Sequence, residues 1–247
     1  MPTLPPMPSP GAMFEGYCRT KAAAIYSELR GEIISLKRRP GDTLTPKRIA
    51  KAYGVSLMPV REAMWKLETD GLITSVVARG TVVARIPLNT LPTAFEARKV
   101  LEQKAVRTAA ERATSADIAR LRLSLELQRE AIQDGDDDAF FRADEDFHAL
   151  ITQVSGYPAF WPVVQKTRMQ IDRCLRLARS EHKKTKTFLA GHEAIVGAIA
   201  ACDPDKAVRA LAGHFGGIKS GVQEAISRNP DCFDGEDNHL ALRCGWP

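Results

Sequence analysis

The stretch Phe140–Val154, FFRADEDFHALITQV, decides how this chain is read. Phe140, Phe141, Phe147, Ile151 and Val154 recur at three-to-four spacing, which predicts a helix with one buried stripe. Asp144 and His148 fall inside that stripe. They stand four apart, so both side chains leave the same face about one turn from each other. A carboxylate and an imidazole aimed into a core need partners, because an unpaired buried polar group is costly.

Working outward, nearly everything from residue 93 to residue 228 reads helical, which predicts an all-helical antiparallel bundle. Helices are expected over Thr93–Ala113, from a Thr114 cap with Asp117 to Asp134-Gly135, and through the Phe140 stretch to Gly156. Further helices should run from Pro158 to about Arg179, from Thr187 to Ala201, and from Asp203-Pro204 to about Ser227. The basic run His182–Lys186 reads as a solvated loop. His192 shares its stripe with Ile195, Val196 and Ile199, and His214 shares its own with Ala207, Leu211 and Ile218. One core-facing histidine is more often a hydrogen-bonded core residue than a ligand. Three of them, with an inward Asp144, favour a divalent metal ion, because neutral imidazoles and a carboxylate suit a borderline cation.

Composition bounds the rest. The 247 residues suffice for two domains, and 44% hydrophobic with 26% charged residues is ordinary for a globular chain. No run of about 18 apolar residues occurs, so no membrane span is expected. Residues 1–16 hold five prolines without a basic-then-apolar order; they read as a disordered arm rather than a secretory signal. The five cysteines are scattered and odd in number, which favours reduced thiols and a cytoplasmic protein. The net charge of +5 is uneven: residues 17–86 carry 13 Lys/Arg against 6 Asp/Glu, a net of +7. A basic first third before a balanced remainder suggests a polyanion-binding module joined to a domain with another task.

That basic segment, residues 17–86, predicts a helix over Lys21–Leu36, then a short one from Thr45-Pro46 to Tyr53. After Gly54-Val55-Ser56 a third runs to Asp70, closed by Gly71. Two short helices across such a turn look like a helix-turn-helix, whose second helix enters the major groove. The β-branched runs around Ala78-Arg79-Gly80, within Leu72–Ile86, predict a hairpin that serves as a wing. Residues 87–92 read as a linker and residues 229–247, with two cysteines and His239, as a flexible tail.

The text PGDTLTPKRIAKAYGVSLMPVREAMWKLETDGLI, followed by ARGTVVA, resembles the winged helix-turn-helix of GntR-family bacterial transcription regulators. The resemblance implies that Lys47 and Arg61 contact DNA backbone or bases, that Ser56 contacts a phosphate, and that Arg79-Gly80 forms the wing tip. Where that family often carries Ser-Arg-Thr, this chain has Ser56-Leu57-Met58. An arginine there would pair with guanine, whereas Leu57 and Met58 either meet thymine methyl groups or pack within the domain. Asp144-x3-His148, the run beginning at His192 and the opening text FEARKVLEQKAVRTAAERAT resemble the FCD effector domain, in its FadR-like, metal-binding form. That resemblance implies Asp144, His148, His192 and His214 as ligands of zinc, nickel or a similar ion. It also implies Arg98 as a clamp for a small carboxylate effector; the other reading of Arg98 is a surface ion pair with Glu102. Relatives commonly show Ser-Gly-Asn after the metal helix, and here Tyr157 stands in place of that Asn.

The expected function is a ligand-responsive regulator that binds a two-fold double-stranded DNA operator as a homodimer. Two alternatives stay open: a purely structural metal, and a metal-dependent hydrolase or isomerase using the same four residues.

Overall fold

The computed structural model describes residues 20–178 and 183–235. The basic segment folds as α1 (Lys21–Ile34), α2 (Pro46–Tyr53), α3 (Leu57–Thr69), β1 (Ile73–Val76) and β2 (Gly80–Val83). Thr20 caps α1 through its hydroxyl, and Pro46 opens α2 where a missing N–H costs nothing. Gly54, at φ 61°, makes the left-handed exit from α2 that brings α3 across it. The hairpin pairs Ile73 with Val83 and Val76 with Gly80 in antiparallel register, and Gly80 takes a φ of 73° at its tip. Ile25, Leu29, Ile33, Ile49, Val60, Leu67, Leu72 and Val83 close one small core. This is a winged helix-turn-helix, as the sequence implies.

The remaining helices are α4 (Leu91–Arg112), α5 (Ser115–Gln133), α6 (Asp137–Val154), α7 (Phe160–Leu177), α8 (Lys183–Ala200) and α9 (Pro204–Arg228). They pack around Phe95, Phe140, Phe147, Leu121, Ile195, Leu211 and Phe215. Local signals set the boundaries: Thr114 and Asp117 form a complete capping box, and the Asp136 and Asp203 carboxylates cap α6 and α9. No described helix is long and apolar enough to cross a membrane.

Three readings change. The basic run after His182 is helix from Lys183 onward, and Thr185 is buried, because α8 must extend far enough to cover the bundle; His182 itself lies outside the described residues. The segment 87–92 is no free linker: Ile86–Pro87 is a strand (β3), Leu88–Thr90 a 3-10 turn, and Leu88 and Leu91 are buried. The start of the tail is ordered as well. Phe233–Asp234 (β4) pairs in parallel with β3, and Phe233 buries its ring in the bundle core. The proline-rich arm of residues 1–16 and the tail beyond Gly235, with His239 and Cys244, lie outside the described residues.

Phe233→Ala should therefore destabilise the chain by about 3 kcal/mol, the usual cost of emptying a buried aromatic site. Urea unfolding checks this; a change within about 0.5 kcal/mol, ordinary for an exposed position, would return the segment to the flexible tail.

Candidate metal centre and nucleic-acid interface

Three helices of the bundle each bring one imidazole to a single point. His148 on α6, His192 on α8 and His214 on α9 are buried, and one nitrogen from each lies within 4.8 Å of the others. The apolar stripes carry these histidines inward, and one glycine makes room for them. A Cβ at Gly191 would stand 3.2 Å from His214 Nδ1, so a side chain there would press the ring aside by a few tenths of an ångström.

Asp144, one turn before His148, is the fourth group. Its Oδ1 lies 3.5 Å from His192 Nε2 and 3.9 Å from His148 Nε2. Its Oδ2 accepts from Arg168 Nη2 on α7, and Arg168 Nε donates to Asp172 Oδ2 at 2.8 Å. Burial alone would raise the Asp144 pKa; the guanidinium charge of Arg168 overrides it and holds the carboxyl well below its usual range. One oxygen is thus committed to a guanidinium while the other faces the histidines, ionised.

The outward nitrogens of two rings are held by neighbours. Glu102 Oε2 lies 2.6 Å from His148 Nδ1, and Gln128 Oε1 accepts from His192 Nδ1 at 2.7 Å. The Gln128 contact turns His192 Nε2 inward with its lone pair free, the tautomer a metal ligand requires. Burial lowers His192 to about 3 and pushes His214 well below the ordinary histidine value, so both are neutral. His192 Nε2 and both nitrogens of His214 have no hydrogen-bond partner among the described residues. Buried polar atoms are rarely left so.

Arg98 is no surface residue. Its Nε donates to Glu102 Oε1 at 2.5 Å, and its Nη2 donates to His148 Nε2 at 3.3 Å, with 1% of the residue exposed. The pair with Glu102 forms, but inside the core, and a positive charge already sits on a lone pair that faces the triad. Around the imidazoles the buried carboxylates of Asp144 and Glu102 pair with the guanidiniums of Arg168 and Arg98, and Asp172, whose pKa burial raises, accepts from Arg168. The cavity beside the triad, walled by Arg98, Asp144, Arg168, Phe188 and His214 among others, measures about 10 Å³, the room of one water. These residues fit a divalent ion: nitrogen and oxygen donors, deprotonated, with orienting partners behind them.

Arg168, Asp172 and Gln128 were not singled out from the sequence. Their signal was present, since Arg168 and Asp172 stand four apart among the buried Val164, Met169 and Ile171 of α7, but charge on a helix reads by default as a solvated face.

On the DNA-binding module Lys47, Ser56, Met58, Arg61, Arg79 and Gly80 are exposed. Ser56 stands at the N-cap of α3 without a side-chain cap bond. Leu57 and Met58 part company: Leu57 is half-buried against the module's core, whereas Met58 is 73% exposed. Trp65, seven residues after Met58 on the same face, is 68% exposed, a large apolar surface the sequence reading passed over.

The neutral buried histidines set a pH dependence. Unfolded histidine titrates near 6.5, so below that value the unfolded chain binds more protons than the folded one. Stability is then complete above 6.5 and declines as pH falls, for His192 down to about 3. The slope is at most about 1.4 kcal/mol per pH unit for each ring, and the depressed Asp144 and Glu102 add their loss below about pH 4. Urea unfolding of chelator-treated protein between about pH 7.5 and about pH 5.5 measures this, and a flat profile would contradict neutral His192 and His214.

Comparison with known proteins places both halves. Residues 21–83 match the model of bacterial regulatory proteins of the gntR family, and residues 93–217 match the FCD domain. The chain is 30% identical over 212 residues to the HTH-type transcriptional repressor RspR of Escherichia coli K12, covering 86% of this chain and 93% of that protein. It is 34% identical over 148 residues to the Nta operon transcriptional regulator of Aminobacter aminovorans, covering 59% and 67% of the two chains. The E. coli McbR/YncC structure superposes with a TM-score of 0.72 at 20% identity, covering 85% of this chain and 98% of that one. These matches describe regulators and set aside the hydrolase or isomerase reading. The chain belongs to the GntR family of bacterial transcription regulators, with an FCD effector domain behind its winged helix-turn-helix.

Proposed function

We propose that this regulator holds a divalent metal ion on Asp144, His148, His192 and His214 and senses a small carboxylate there, adjusting its grip on a two-fold operator. The observation that carries this reading is the meeting of three buried imidazoles, two of them with unpartnered ring nitrogens, beside an ionised carboxylate. The donor set suits zinc or nickel. An ion so bound supplies a Lewis-acidic point with open positions for a carboxylate.

The protein's own residues supply the remainder. Glu102 and Gln128 orient His148 and His192, and Arg168 keeps Asp144 charged and turned. Arg98 is the effector clamp: its fork already lies against the triad and suits a carboxylate. Because the present cavity has room for one water, a carboxylate enters only if Arg98 and its neighbours move. Effector binding is thereby tied to a change of arrangement, and a ligand shifts such an equilibrium by its differential affinity for the two states.

On the DNA side, Lys47 and Arg61 are the cations facing the duplex, Ser56 the phosphate contact, and Met58 the apolar contact in the groove. Arg79 and Gly80 form the wing tip. A homodimer matches the two-fold operator of helix-turn-helix regulators, and its place of work is the cytoplasm, where bacterial DNA lies.

Elemental analysis of purified protein should find about one zinc or nickel per chain, and His148→Ala should lose most of it. Full retention would remove His148 from the ligand set. Gln128→Leu should weaken metal binding by about tenfold or more through a loosened His192. Thermal shifts with small carboxylates, run with and without chelator, locate the effector. Shifts that vanish with chelator put it on the ion, and shifts that survive put it on Arg98 alone. Arg61→Ala should lower operator affinity by about 1–3 kcal/mol at unchanged circular dichroism. Unaltered binding would cancel its role.

A further inference from the structure

One helix touches both the candidate metal centre and the DNA-binding module, and it does so through consecutive residues. On α7, Arg168 donates to Asp144 and to Asp172, which anchors its guanidinium one turn along the same helix. The next residue, Met169, is buried in the core of the winged helix-turn-helix rather than that of the bundle. Gln170 then donates to the carbonyl of Gly71, the residue that ends the recognition-helix segment, at 3.3 Å. Arg173, fully buried, donates to the carbonyl of Ala84, where the wing returns to the bundle, at 2.6 Å.

Successive residues on a helix are about 100° apart, so residues 168 and 172 occupy one side of α7 while residues 169, 170 and 173 turn to the adjoining sides. A packed helix moves as a unit, because its backbone hydrogen bonds leave it no cheap way to bend locally. Whatever displaces the Arg168 guanidinium therefore acts on both ends of the recognition unit, Gly71 behind α3 and Ala84 behind the wing.

The contacts on the metal side leave room for such a displacement. Arg168 Nη1 and Asp172 Oδ1 have no hydrogen-bond partner among the described residues, so a second pairing of these groups is within reach. Asp144 is shared between Arg168 and the imidazoles. A ligand that draws its Oδ1 toward the triad changes the position and charge of the Oδ2 that holds Arg168.

We propose that α7 is the link that carries the state of the metal centre to the DNA-binding module, with Arg168 as the positioning residue on the metal side. Met169, Gln170 and Arg173 are its grip on the module. The proposal rests on the metal reading above. It assigns to this chain a physical route between its two domains, made of side chains that contact neither DNA nor the ion.

Hydrogen exchange on the full-length chain tests it without an operator, using Zn²⁺ and Ni²⁺ alone as probes. Metal uptake is measured separately by titration against a chromophoric chelator. In the wild type, adding metal to chelator-treated protein should slow exchange by about threefold or more both around the histidines and in peptides spanning residues 71–84. In Gln170→Ala/Arg173→Met the metal should bind with unchanged affinity and still protect the histidine helices, while the response of residues 71–84 disappears. Gln170→Ala alone, at an exposed bond, guards against a double variant that fails to fold and should lose part of that response. A role in stability only would shift the 71–84 baseline equally with and without metal, and that outcome overturns the proposal. Uptake without any response at residues 71–84, or a response that survives the double variant, overturns it too. No uptake of either ion sinks the metal reading itself, a different and separately visible failure.

Discussion

The structure depends on keeping an ionised Asp144 inside a helical bundle. A buried carboxylate costs several kcal/mol unless charge and hydrogen bonds surround it. Here one oxygen is held by Arg168 and the other is turned to His148 and His192. Arg168 in turn needs Asp172, and the imidazole next to Asp144 needs Glu102, which needs Arg98. Each buried charge thus recruits the next, and the network spans α4, α6, α7 and α8 before it closes. Such an arrangement is weak evidence for stability, because well-packed apolar residues would do as well. Its retention in a core otherwise filled by Phe95, Phe140, Phe147 and Ile195 is better explained by what the charges do.

The same economy of placement is visible in how the domains meet. The module and the bundle do not merely follow each other along a tether: β3 and the 3-10 turn after it are built into the bundle, β4 returns to pair with β3, and α7 reaches into the module's core. A regulator whose sensing and reading parts were joined by a slack linker could not pass strain between them. In this chain buried contacts at Met169 and Arg173 join the two parts directly.

Much of this was legible in the chain. The helix-turn-helix declared itself through Thr45-Pro46, Gly54 and Gly71, residues whose backbone preferences are local. The inward direction of Asp144, His148, His192 and His214 followed from periodicity, since a polar residue at an apolar position of a helix has only the core to face. Less legible was everything that required knowing which helix lies against which. Leu57 and Met58 are neighbours with one chemistry, and only packing separates the half-buried one from the exposed one. The tail looked polar enough to be free, yet one aromatic residue, Phe233, finds a place in the core.

The sequence by itself determined the two-domain plan, the winged module, the helical bundle and the inward set of four polar residues, because helix caps, turn glycines and hydrophobic period act within a few residues of each other. Only the tertiary structure decided that three imidazoles meet at one point, that Arg98 is buried against them, and that Arg168 and Asp172 belong to the same network. The physical reason is that charge in a core is settled by partners far away in the chain. Arg168 and Asp144 are 24 residues apart, and Gln128 and His192 are 64 apart. No local preference encodes such a pairing; it is fixed when the helices pack and each buried charge must find its counterpart.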